Sequence, residues 1–88
     1  MISARVFILQ TDSLTMSINE IVGQNIRAAR KDRGISQLKL AERLGYTRPA
    51  LSNIERGRSG LLVDRLHLIC QILGCEYTEI LPEIKQGS

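Results

Sequence analysis

Helix start and stop signals divide the sequence into short segments. Ser17 and Glu20 have the spacing of a capping box, in which each side chain binds a backbone N–H of the other residue. Ser36 and Thr47 are further N-cap residues that precede apolar residues at helical spacing. Glycines that can end helices follow at positions 34, 45, 57 and 74. The chain is therefore expected to fold as five short helices.

The predicted helices cover about residues 18–33, 37–44, 47–56, 62–73 and 77–81, with Pro82 closing the last. Pro49 is tolerated in the first turn of the third helix, where backbone N–H groups have no intrahelical partner. Short loops between short helices predict an all-α bundle. Its apolar stripes contain Ile18, Ile21, Val22, Ile26, Ala29, Leu40, Ala41, Leu44, Leu51, Ile54, Leu66, Ile69, Cys70 and Leu73.

Residues 1–16 form an N-terminal extension to a domain at 17–82, and residues 83–88 form a tail. Ala4–Gln10 reads A-R-V-F-I-L-Q, a composition that favours a strand. Three interpretations of this segment stay open. It pairs as a strand with a second copy, it is disordered, or it lies upstream of a natural start at Met16.

Composition excludes several classes of protein. A chain of 88 residues holds one domain, and 3% aromatic residues imply an aliphatic core. Two cysteines and one histidine provide neither a disulfide framework nor zinc-ligand spacing, so no metal and no cofactor is expected. The longest apolar run, Val6–Leu9, is too short for a membrane span or a secretory signal. We expect a soluble, cytoplasmic protein with no membrane association.

The positive charge is concentrated in the middle of the chain. The net charge is +3, but residues 27–58 hold nine basic and three acidic residues, a net +6. Residues 1–26 carry −1 and residues 59–88 carry −2. A basic block in a small domain is typical of phosphate contacts. The alternative is a solvated charged face.

Residues 37–56 have the pattern of a helix-turn-helix, with Gly45 in the turn and Ala41 small enough for a close helix crossing. The chain resembles the Cro and phage-repressor (XRE) family of helix-turn-helix proteins. The resemblance rests on G-Q-N-I-R-A-A-R (23–30), G-I-S-Q-L-K-L-A-E-R-L-G-Y-T (34–47), L-S-N-I-E-R-G-R (51–58) and L-G (73–74). It implies a lambda-repressor-like fold.

The resemblance also implies a role for each outward residue of the third helix, the recognition helix at about 47–56. Arg48 would bind guanine and Asn53 adenine, each through two hydrogen bonds, and the alternative for Arg48 is a phosphate contact. Thr47 and Pro49 would contact a thymine methyl group, although Pro49 replaces the polar residue common in the family. Phosphate contacts are assigned to Gln37, Arg43, Ser52, Arg56 and Arg58. Arg30 and Glu55 are assigned to a structural ion pair.

The function that follows is a sequence-specific regulator of transcription that binds double-stranded DNA as a homodimer on a two-fold symmetric operator. The predicted dimer patch contains Leu61, Leu62, Val63, Ile80 and Leu81. An alternative is a protein-interaction module, such as an antitoxin-like partner of another protein, with DNA binding secondary or lost. No carboxylate pair, Cys/His pair or phosphate loop supports an enzyme.

Overall fold

Five helices follow one another in residues 16–82, the part of the chain that the computed structural model describes. They are α1 (Ile18–Asp32), α2 (Gln37–Leu44), α3 (Arg48–Glu55), α4 (Val63–Leu73) and α5 (Tyr77–Ile80). The prediction of an all-α bundle of five short helices is confirmed. The segment at 4–10, with its three interpretations, and the tail at 83–88 lie outside the described residues.

The first three helices begin where their capping residues predicted. Ser17 Oγ accepts from the Glu20 backbone N–H at 3.1 Å, and a Glu20 carboxylate oxygen accepts from the Ser17 N–H at 2.7 Å. Ser36 and Thr47 cap α2 and α3 by accepting from the N–H three residues later, at 3.0 and 3.2 Å. Leu62, the N-cap of α4, offers no side-chain hydrogen bond. The start of α4 is therefore the weakest of these helix termini.

The core is aliphatic and lies where the helices converge. α1 contacts α3 and α5, and α2 contacts α3 and α4. Ile26, Leu40, Leu51 and Ile69 are completely buried at this centre. The other buried apolar residues are Ala29, Ala41, Leu44, Ile54, Leu66, Cys70, Leu73 and Ile80.

The prediction that Ile80 forms part of a dimer surface is wrong. The Ile80 side chain is 0% exposed. The short helix α5 packs across α1, and Asn25 Nδ2 donates to the Ile80 carbonyl oxygen at 2.8 Å. Helix α5 has only four residues, so its apolar side is small. Ile80 on that side packs into the core.

Gly23 allows α1 and α3 to touch through their backbones. A Cβ atom at this position would lie 2.3 Å from the Ile54 carbonyl oxygen and 2.6 Å from that of Glu55. Both atoms belong to the last turn of α3, which cannot move without shifting the whole helix. Glycine is therefore required here by close approach, since α1 is regular at this point.

We expect Gly23→Ala to reduce the free energy of unfolding by about 2–3 kcal/mol, because the added methyl group overpacks a backbone contact. Urea denaturation with a circular-dichroism readout measures the loss. Gly60→Ala is the control, since its Cβ would meet only the Asn19 side chain at 3.7 Å. It should change stability by less than about 0.5 kcal/mol. Equal effects of the two substitutions would contradict the close-approach explanation.

Candidate nucleic-acid interface

The turn between α2 and α3 fixes the angle between these two helices. Gly45 has φ 76°, a left-handed conformation that favours glycine, and it ends α2. The Tyr46 N–H donates to the Ala41 carbonyl oxygen at 2.9 Å. Arg65 of α4 places its guanidinium carbon 5.7 Å from the centre of the Tyr46 ring, a cation–π distance. The turn is thus held by its own backbone and by α4.

The residues predicted to read bases lie on α3 or at its N-cap. Leu51 and Ile54 of this helix point into the core, which leaves the opposite side to solvent. The exposed residues are Thr47, Arg48, Pro49 and Asn53, and Ser52 is half-buried beside them. Thr47 combines its exposed position with the capping bond to Ala50. All four predicted base readers are therefore exposed to solvent, and Arg48 and Pro49 also share one cleft.

A cleft lies between the starts of α2 and α3. It has a volume of about 230 Å³ and is lined by Gln37, Arg48, Pro49 and Ser52. Two predicted phosphate ligands, Gln37 and Ser52, thus share a concave surface with two predicted base readers. Polar donors at a helix start are suited to an anion, because the first backbone N–H groups of a helix also attract negative charge.

Arg30 and Glu55 form an ion pair that is almost completely buried. Arg30 Nε donates to Glu55 Oε2 at 2.7 Å, and Arg30 Nη2 donates to Glu55 Oε1 at 3.0 Å. The two side chains are 8% and 2% exposed. Arg30 Nη1 also donates to the Ile35 carbonyl oxygen at 2.9 Å. The pair therefore joins α1, the α1–α2 loop and the last turn of α3.

The Gln37 side chain is hydrogen-bonded to this ion pair. Its Nε2 donates to Glu55 Oε1 at 3.1 Å, which the sequence did not indicate. Only the fold brings the first residue of α2 to the last residue of α3. The structure thus places Gln37 between the buried ion pair and the cleft.

The cations of the basic block fall into two groups, those paired with carboxylates of other helices and those exposed to solvent. Arg33 donates to the Leu73 carbonyl oxygen at 2.6 Å and forms an ion pair with Glu79 at 2.9 Å. The Glu79 carboxylate raises the pKa of Arg33 above its ordinary value. Arg30 and Arg33 are therefore two of the nine cations whose charge is paired within the fold. The other seven are exposed: Arg27, Lys31, Lys39, Arg43, Arg48, Arg56 and Arg58.

An apolar patch is exposed at the start of α4. Leu62 is 68% exposed and Val63 is 81% exposed, whereas Leu61 is half-buried against the core. Leu81, another residue of the predicted dimer patch, is 40% exposed. With Ile80 buried, the remaining exposed members of that patch are Leu62, Val63 and Leu81.

The comparisons with known proteins agree with this geometry. The helix-turn-helix family matches residues 26–80, more than half of the chain. The chain belongs to the helix-turn-helix family.

Relatives of this helix-turn-helix protein carry several names. An uncharacterized HTH-type transcriptional regulator, y4dJ of Sinorhizobium fredii, is 32% identical over 74% of this chain and 84% of its own. Antitoxin PezA of Streptococcus pneumoniae is 34% identical over 74% of this chain. The immunity repressor protein of Bacillus phage phi105 is 37% identical over 70%. The match spans only 41% and 43% of the last two proteins.

Solved structures show the same fold. The clp gene regulator ClgR from Corynebacterium glutamicum superposes with a TM-score of 0.71 at 29% identity, over 74% of this chain and 69% of that one. A hypothetical transcription factor, NHTF from Neisseria, superposes with a TM-score of 0.66 at 29% identity, over 74% of each chain.

Other groups in this helix-turn-helix protein lie away from the interface. Cys70 is 7% exposed, and burial beside Cys75 raises its pKa to about 11, so it is a neutral thiol near pH 7. His67 is exposed and its Nδ1 contacts the Tyr77 hydroxyl. Within residues 16–82, no cluster of His, Cys, Asp or Glu is arranged to hold a metal ion. No helix in that range is long and apolar enough to span a membrane.

We expect Arg30→Met to reduce the free energy of unfolding by about 3–5 kcal/mol, because it leaves the Glu55 carboxylate buried without a counter-charge. Combining it with Glu55→Met should restore most of the loss, since two apolar side chains of similar volume need no charge partner. Urea denaturation of the two single variants and the double variant measures this. Losses that simply add in the double variant would contradict a coupled pair.

Proposed function

We propose that this chain is a sequence-specific double-stranded DNA-binding regulator of transcription, with α3 in the major groove. The observation that carries the proposal is the exposed polar face of α3, fixed in angle by the turn and flanked by exposed cations. Major-groove edges present a distinct donor and acceptor pattern for each base pair, so a helix with such a face can read sequence. The family and its regulator and repressor relatives support the same function.

Base readout falls to the outer face of α3. Arg48 supplies two parallel donors for guanine O6 and N7, and Asn53 supplies a donor and an acceptor for adenine. Thr47 and Pro49 offer apolar surface to a thymine methyl group. Each two-bond contact discriminates against the wrong base by about 1–3 kcal/mol.

Phosphate contacts hold the helix in register. Arg56 and Arg58 are exposed on either side of Gly57, immediately after α3. Arg43 is exposed near the end of α2, and Gln37 and Ser52 line the cleft. Such contacts position a protein on DNA without reading sequence.

The protein acts as a homodimer on a two-fold symmetric operator. One domain presents one recognition helix, whereas two copies would present two, spaced about 34 Å apart to meet successive major grooves. Within the predicted dimer patch, Leu62, Val63 and Leu81 are the exposed residues available for the contact. A self-complementary patch of this kind suits two-fold symmetry.

A second candidate function is an antitoxin-like partner of another protein. The relative named as antitoxin PezA and the exposed Leu62 and Val63 favour it. A protein partner would then cover the apolar patch. The exposed cations around α3 favour DNA binding as the primary function.

We expect selection from a random duplex pool to yield one symmetric site, because two copies would present the same α3 face to each half-site. Affinity for that site should fall steeply with salt, with a slope of about −0.9 per phosphate contacted, because binding releases counterions. Fluorescence anisotropy from low to moderate salt measures the slope. Enrichment of no site, or an affinity that is flat in salt, would contradict DNA binding and leave the antitoxin-like function.

Substitutions of Arg48 and Arg56 should distinguish base recognition from phosphate binding. Arg48→Ala should relax base preference at one position of each half-site, and Arg56→Ala should weaken binding to all sequences about equally and reduce the salt slope by about 1. Repeating the selection with each variant distinguishes these effects. If Arg56→Ala changed the selected bases and Arg48→Ala did not, the two roles would be interchanged.

Leu62→Asp tests the dimer. The carboxylate would supply the missing N-cap of α4 and stabilise the monomer by about 1 kcal/mol, while placing charge in the apolar patch. We expect a higher melting temperature together with weaker self-association in sedimentation velocity and weaker binding to the symmetric site. Unchanged self-association would remove Leu62 from the dimer contact.

A further inference from the structure

The Gln37 side chain contacts a buried carboxylate and also lines a cleft at the protein surface. It is half-buried at the first position of α2, and its Nε2 donates to Glu55 Oε1 at 3.1 Å. The same side chain lines the cleft that it shares with Arg48, Pro49 and Ser52. A change at Glu55 can therefore reach the cleft through one side chain.

The carboxylate of Glu55 determines which way the Gln37 amide faces. A glutamine amide carries donors on nitrogen and an acceptor on oxygen, while a carboxylate paired with a guanidinium only accepts. Nε2 must therefore face Glu55. Arg30 binds both carboxylate oxygens, at 2.7 and 3.0 Å, so Glu55 itself cannot rotate. One N–H and the carbonyl oxygen of Gln37 remain for a ligand.

We propose that Glu55 is a positioning residue for DNA binding, which orients the Gln37 amide so that its second N–H is available to a DNA phosphate. The proposal rests on the DNA-binding function proposed above. It extends the role of the Arg30–Glu55 pair beyond the structural one that the family resemblance implies. An amide held before DNA arrives loses less side-chain freedom on binding, a gain of roughly two- to tenfold in affinity.

The test compares Gln37→Ala in two backgrounds. One is the wild-type chain, and the other carries Arg30→Met and Glu55→Met together. The paired methionines remove one positive and one negative charge, so the net charge is unchanged, and they replace the buried pair with apolar side chains. The probe is a duplex selected from a random pool by the wild-type chain. Arg58→Ala in both backgrounds is the matched control, because Arg58 is an exposed cation after α3.

We expect Gln37→Ala to weaken binding about tenfold in the wild-type chain, the loss of one hydrogen bond to a charged group. In the paired-methionine background the loss should be smaller by about two- to tenfold, because the amide is no longer held before DNA arrives. Arg58→Ala should cost the same in both. Equal losses from Gln37→Ala in the two backgrounds would overturn the positioning role alone. A wild-type chain that binds no duplex would overturn the DNA-binding function as well.

NMR of the protein without DNA measures the orientation of the Gln37 amide. It does not require the double variant to fold. The two Nε2 protons of Gln37 are assigned in ¹⁵N-labelled protein by their loss in Gln37→Ala. We expect one of them to be shifted downfield and to exchange slowly with water, because it is bonded to Glu55. Gln24 and Gln71 are exposed and provide internal references. Gln37 protons that match those of Gln24 and Gln71 would overturn the proposal.

Discussion

The Glu55 carboxylate is the point on which the arrangement of α1, α2 and α3 depends. It accepts from Arg30 of α1 through both oxygens and from Gln37 of α2, and it stands at the end of α3. Removing a carboxylate from water is costly unless its hydrogen bonds are replaced, and here three donors replace them. Helix α3 can satisfy this requirement in one position against α1, so the ion pair contributes to a single orientation of α3.

Close packing supports the same orientation. Gly23 lets α1 meet the last turn of α3 backbone to backbone, next to the ion pair. The aliphatic core beneath is small and almost free of aromatic side chains, so its contacts are less directional than hydrogen bonds. The polar pair and the glycine contact supply the directionality that an aliphatic core lacks. This division explains how a short chain holds an exposed helix at a fixed angle.

The fold also sorts the charges by function. Arg30 and Arg33 lie in the same basic run as Arg27 and Lys31, yet they form ion pairs with Glu55 and Glu79 of other helices. Arg33 fastens α1 to the end of α4 and to α5. The cations left outside include those on and just after α3, and the exposed apolar residues Leu62 and Val63 lie at the start of α4. A small domain with a small net charge thus presents both exposed cations around α3 and an exposed apolar patch.

Local chemistry in the sequence determined the helices, because capping side chains, apolar spacing and glycine stops act within a few residues of one another. For the same reason the outward face of α3 was predictable: Pro49 and Asn53 stand opposite Leu51 and Ile54, and Arg48 lies in the exposed first turn. The resemblance to the helix-turn-helix family supplied the pairing of Arg30 with Glu55. Tertiary structure alone decided that Ile80 is buried, that Arg33 is paired with Glu79 and that Gln37 reaches Glu55. These outcomes depend on contacts between residues 18 to 55 positions apart, which no local pattern encodes.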